Sequence, residues 1–119
     1  MGLWHLAHRA DWDAACAAGT YRVSTRGRTL DEVGFVHASR PAQLAHVAEA
    51  VYADDPEDLV VLVLDEALVG AAGVPVIEED GGTGELFPHV YGPIDPSWVT
   101  EVLPARFDEH GRFRVDVPG

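Results

Sequence analysis

Leu59-Val60-Val61-Leu62-Val63-Leu64 is the stretch that decides the fold, because every side chain in it is apolar and a strand turns successive side chains to opposite faces. A strand apolar on both faces has to be covered on both, so it is expected at the centre of a sheet with packed material above and below. Before it, Asp54-Asp55-Pro56-Glu57-Asp58 reads as a solvated acidic loop that ends a helix. That helix is expected over about Pro41 to Tyr52, since proline suits a first turn and Leu44, Val47, Ala48 and Val51 recur at helical spacing. After it, Asp65-Glu66-Ala67-Leu68 reads as one helical turn, Val74 to Glu78 as a strand, and Glu79 to Glu85 as a glycine-rich mobile loop.

Further out, Leu3-Trp4-His5-Leu6 reads as an opening strand with Leu3 and His5 on one face. A helix from Arg9 to Ala18 follows, with Asp11 and Asp13 in its first turn and Gly19 as its stop. Tyr21 to Ser24 is a candidate short strand, and Thr25 to Val33 a polar loop with one helical turn around Leu30 to Val33. Val99 to Phe107 and Arg112 to Val117 form an expected antiparallel hairpin around Asp108-Glu109-His110-Gly111. Two main helices and six or seven short strands make an α+β domain with a split, mostly antiparallel sheet. The 119 residues are read as a single domain, 1–119.

A formal charge of −12 argues against a nucleic-acid partner and against anionic membrane surfaces, although Arg22, Arg26 and Arg28 make a small basic cluster. No stretch reaches membrane-spanning length, and neither a leader-like charge pattern nor a long apolar core follows Met1. With a single cysteine, Cys16, no internal disulfide is available, so a cytoplasmic location is the expectation. Cys16 sits among alanines on a helix and is read as a small buried or half-buried hydrophobe.

The chemistry concentrates in Leu86-Phe87-Pro88-His89-Val90-Tyr91-Gly92 and Gly34-Phe35-Val36-His37-Ala38-Ser39. Extended backbone puts Phe87, His89 and Tyr91 on one face, and Phe35, His37 and Ser39 on one face of the other strand. Apolar area with a few placed polar groups suits a pocket for a small-molecule ligand. Each residue also has a plainer reading: His37 as a strand histidine bonded to a carbonyl, Ser39 as the cap of the next helix, Phe87 and Tyr91 as core aromatics, and His89 as a filler. Glu78 and Glu85 flank the glycine loop and are the candidate catalytic carboxylates with His89, while His37, Ser39, Phe87 and Tyr91 are the candidate ligand contacts. No metal is expected, because His37, His89 and Glu78 lack ligand spacing, and the glycines lack the Gly-Lys-Ser/Thr of a phosphate loop.

The segments Gly34 to Ser39, Gln43, Leu59 to Asp65 and Leu86-Phe87-Pro88-His89-Val90-Tyr91-Gly92-Pro93 resemble the bacterial family called domain of unknown function 952, over Leu3 to about Leu103. The resemblance implies a fold similar to that of the ADP-ribosyltransferases, with a cleft between two sheet halves. It further implies NAD or a related nucleotide as ligand or cofactor, and transfer or hydrolysis at the nicotinamide ribose if the domain is an enzyme. His37 would then orient a ribose, and Tyr91 or His89 would serve nicotinamide or the reaction. The family often carries an arginine before the paired glycines, where this chain has Asp80, so an anionic ligand loses one expected contact. The alternative is a non-catalytic binding module for another small metabolite. A third reading is an interaction domain whose pocket is filled by its own side chains.

Overall fold

The computed structural model describes residues 2–116. Its central layer is a four-stranded antiparallel sheet in the order β1-β5-β8-β9, formed by β1 (Leu3–His8), β5 (Leu59–Leu64), β8 (Val99–Phe107) and β9 (Phe113–Val115). A three-stranded antiparallel sheet runs β4-β7-β6, from β4 (Val36–His37), β6 (Val76–Asp80) and β7 (Leu86–Val90), and β2 (Val23–Thr25) pairs with β3 (Arg28–Thr29). The helices are α1 (Arg9–Ala18), α2 (Leu30–Val33), α3 (Pro41–Val51) and α4 (Glu66–Ala71). The expected α+β class and mostly antiparallel pairing are therefore present. Nine strands stand among the described residues where six or seven were expected, because a two-residue strand such as β3 carries no run long enough to read.

β5 lies between β1 and β8, as its two apolar faces require. Val60, Leu62 and Leu64 join Leu3, Ala7, Ala15, Val36 and Val90 in one core, while Leu59 and Val61 join Leu6, Leu44, Ala48, Tyr52, Leu103 and Phe113 in the other. One face of the sheet thus receives α1 and the β4-β7 pair, and the other receives α3. The seam between the two larger sheets is a single antiparallel bridge, in which the N–H groups of Trp4 and Ser39 each donate to the other's carbonyl at 2.9 and 2.7 Å.

Several expectations are corrected. Ser39 does not cap α3; Arg40 is the N-cap residue and its backbone N–H donates to Gln43 Oε1 at 2.9 Å, while Ser39 is buried in the seam. Cys16 is exposed, because α1 turns Ala15 inward and the next position is rotated out to solvent. The acidic run is not wholly solvated: the Asp55 side chain is 2% exposed and accepts from His8 Nε2 at 2.5 Å and pairs with Arg26 Nε at 3.0 Å. Two of the three arginines in the basic cluster are paired, Arg22 with Asp31 and Arg26 with Asp54 and Asp55. Glu79 and Asp80 continue β6 instead of opening a loop, because β7 supplies their ladder partners Phe87 and Leu86. The end of the last expected strand, Val117, lies outside the described residues.

Candidate functional site

The two motifs meet. β4 pairs antiparallel with β7, with Val36 opposite Val90 and His37 opposite His89. The shared parity turns Val36 and Val90 into the core and His37 and His89 to the other face, where α3 and β2 close a cleft of about 300 Å³. Phe35, His37 and His89 form one side, Val33, Val47 and Val51 supply apolar surface, and Ser24, Thr25, Asp80 and Gly81 complete the lining. A neighbouring lobe of about 220 Å³ shares His37, Val47, Val51 and Gly81 with it and adds His46, Ala50, Thr83, Glu85 and Phe87.

The aromatic rings are packed against one another along the sheet. Phe35 lies flat on His89, with ring centroids 3.8 Å apart and planes 9° from parallel, and is tilted against Tyr91 at 5.5 Å. His37 sits 5.3 Å from Phe87 and 5.6 Å from His89. The cleft is open beside these rings, so the reading in which the pocket is filled by its own side chains does not describe it.

Glu79 stands on the same face of the sheet as His89 and Tyr91. Its Oε1 accepts from His89 Nδ1–H at 2.9 Å and from the Tyr91 hydroxyl. These two donors, Tyr91 first, hold the Glu79 carboxyl below the usual carboxylate range, and in return the carboxylate raises the Tyr91 hydroxyl. With Nδ1 carrying the proton of the neutral ring, the His89 Nε2 lone pair is left to accept a hydrogen bond or a proton.

Behind His37 lies a second pair. His5 Nδ1–H donates to the His37 backbone carbonyl at 2.6 Å, and the Tyr21 hydroxyl donates to His5 Nε2 at 2.8 Å. The carbonyl can only accept, which assigns the His5 tautomer. Burial pushes His5 down to about 4, and burial together with the neighbouring His89 ring pushes His37 to about 4 as well. The His37 ring itself makes no side-chain hydrogen bond among the described residues, leaving one donor and one acceptor toward the cleft.

The remaining candidates are distributed as follows. Glu78 lies opposite Pro88 on the other face of β6 and accepts from Arg40, which also binds Glu66. Glu85 reaches the second lobe but is held by Gln43 Nε2 at 3.1 Å and His46 Nε2 at 2.9 Å. Phe87 and His89 reach the cleft and its lobe, Tyr91 acts on it through Glu79, and Ser39 reaches only a void of about 10 Å³ beneath it. Asp80 organises the turn: its Oδ1 accepts from Gly82 N–H at 2.7 Å and Gly84 N–H at 3.0 Å. The loop is thus tied at both ends. Among the described residues no group of three or more His, Cys, Asp or Glu is arranged to hold a metal, and no helix is long and apolar enough to cross a membrane.

Gly81 fixes the width of the second lobe. A Cβ there would come within 2.7 Å of Phe87 Cδ2 and 2.8 Å of Cε2, so Gly81→Ala is expected to push the Phe87 ring aside and to cost about 1–2 kcal/mol by overpacking. Aromatic proton shifts of Phe87 and the urea midpoint measure the two effects separately.

A family model described as "Protein of unknown function (DUF952)" matches residues 6–102. The chain belongs to this family. The DUF952 chain is also similar to solved structures of protein CC0527 from Caulobacter crescentus. The crystal structure is 27% identical with a TM-score of 0.80, covering 96% of this chain and 94% of that one. The solution structure of the same protein is 28% identical with a TM-score of 0.75, covering 93% and 90%. No curated protein matches the chain. The DUF952 match takes in the whole cleft and its lobe, and it includes every residue of the Glu79–His89–Tyr91 group.

Proposed function

We propose that this chain binds a small ring-bearing metabolite in the cleft and presents His89 Nε2 to it as hydrogen-bond acceptor or general base. The observation that carries this is the Glu79–His89 pair: a carboxylate fixes the proton on Nδ1 while Phe35 fixes the plane of the ring, so Nε2 is oriented before any ligand arrives. Such preorganisation adds little to the fold, because a half-exposed carboxylate gains little stability from one side-chain contact.

NAD or a related nucleotide, held in an ADP-ribosyltransferase-like cleft, is the second reading. In its favour, Glu79 stands where an oxocarbenium-like charge beside His89 would be stabilised, a role that Glu78 on the far face of β6 cannot take. Against the phosphates of NAD stands the lining. The chain has no lysine, and among the described residues no arginine lines the cleft. The ribosyl-nicotinamide part is therefore the part of NAD that fits.

Calorimetric titration of NAD, ADP-ribose and nicotinamide riboside tests both readings. Nicotinamide riboside, which lacks phosphate, is expected to bind more tightly than NAD. Glu79→Gln should weaken that binding roughly tenfold, the size of a lost charge-assisted hydrogen bond, while Glu78→Gln leaves it unchanged. No heat from any of the three at millimolar concentration would sink the nucleotide reading. A Glu79→Gln protein indistinguishable from wild type toward a ligand shown to occupy the cleft would remove the role given to the pair.

A further inference from the structure

Ser24 lies in β2 with a relative exposure of 0%, and its Oγ is the one buried side-chain polar atom among the described residues without a hydrogen-bond partner. It lines both the cleft and the small void beneath it, and His37 lines both as well. A buried hydroxyl with no partner destabilises the fold, so its presence at the floor of an open cleft points to a partner that comes from outside. The void, about 10 Å³, is at the lower limit of what one water fills, and the cleft above it has room for a ring.

The chemistry of that floor is specific. Ser24 offers a hydroxyl, and the His37 ring, kept neutral by burial, offers one donor and one acceptor. No positive charge accompanies them. Asp80 lines the cleft, Glu85 the adjoining lobe, and Glu79 stands behind His89. The two cations nearest Ser24 along the chain are both tied, Arg22 to Asp31 and Arg26 to Asp54, Asp55 and the Val51 carbonyl. An anionic head brought to this floor would be desolvated next to carboxylates with nothing to pair it. A cationic head would meet those carboxylates and the faces of aromatic rings.

We propose that the cleft selects a planar aryl ligand whose hydrogen-bonding head is uncharged or cationic, an amide or amidine, over the isosteric carboxylate, with Ser24 and His37 as the groups that meet the head. The proposal rests on the reading that the cleft takes a small ligand, and it is independent of whether that ligand is a nucleotide.

Benzamidine, benzamide and benzoate have nearly the same shape and differ in charge, so they are the probes. Titrations followed by amide and aromatic chemical shifts are expected to place benzamidine and benzamide against His37 and His89, each with a Kd at least tenfold below that of benzoate. Ser24→Ala should weaken benzamide roughly fivefold, the loss of one neutral hydrogen bond, while leaving the thermal midpoint unchanged or raised because an orphaned hydroxyl has gone. Benzoate binding as tightly as benzamide overturns the proposal. So does a Ser24→Ala protein that loses stability but keeps its benzamide affinity, since the hydroxyl would then serve only the fold. If none of the three probes binds while nicotinamide riboside does, this inference fails and the cleft reading stands. If benzamide binds while NAD and its fragments do not, the nucleotide reading fails and this one stands.

Discussion

Acidification below about pH 6.5 is expected to destabilise this protein before most of its carboxylates begin to titrate. Both His5 and His37 have folded-state values near 4 against an ordinary 6.5. Between those values the unfolded chain holds more protons than the folded one, so stability is complete above about 6.5 and is lost as pH falls toward 4. For His5, shut away from water, the full window amounts to about 3 kcal/mol, and His37, which is less enclosed, contributes less. The carboxyls of Glu79, Asp80 and Asp55 are held below their ordinary range and add their losses only at lower pH. Urea midpoints measured from about pH 7 to pH 4.5 should therefore fall steadily, and His37→Asn should fall less steeply. A flat profile down to about pH 5 would show that neither ring is neutral because of the fold.

The largest single-residue effect is expected at His5. His5→Ala empties a side-chain volume inside the domain, strands the buried Tyr21 hydroxyl and removes the donor to the His37 carbonyl. Cavity and orphaned-group costs together come to about 4 kcal/mol. Tyr21→Phe alone removes only one donor and should cost about 1–2 kcal/mol. Because the hydroxyl has nothing left to bond once His5 is gone, the double variant should be little worse than His5→Ala, with a coupling of about 1 kcal/mol. Strict additivity in denaturant unfolding would mean that the Tyr21–His5 bond carries no net energy. Since the His37 carbonyl is part of the same chain of bonds, His5→Ala should also disturb the cleft that it never touches.

The parts of the molecule that could be read in advance are those governed by periodicity. Leu59 to Leu64 is the central strand because both parities are apolar, and Arg9 to Ala18 and Val99 to Phe107 fall on the expected residues. Strand alternation also brings Phe87, His89 and Tyr91 together with Phe35 and His37 in one aromatic cluster, of which all but Tyr91 line the cleft or its lobe. Glu79 escaped for a reason of parity. Glu78-Glu79-Asp80-Gly81 has the composition of a loop, and only the ladder with β7 keeps it extended and decides that Glu79, not Glu78, faces the histidine. Ser24 and His5 carried no local signal at all. What makes them informative is the set of partners each has or lacks, and those come from strands distant in the chain.

The pairing of Leu3 with Leu64 and of His37 with His89 also bears on how the molecule forms during synthesis. The apolar opening strand is made long before β5 exists to receive it, and β4 waits in the same way for β7. Pairings this distant in sequence make folding slow relative to helical domains of similar size, and they leave Leu3, Trp4 and Leu6 exposed on the nascent chain in the meantime. The cleft cannot exist on a partial chain, because its lining joins residues 24–51 to residues 80–89. A ligand of this cleft would act on the finished protein, slowing its unfolding without hastening its first folding.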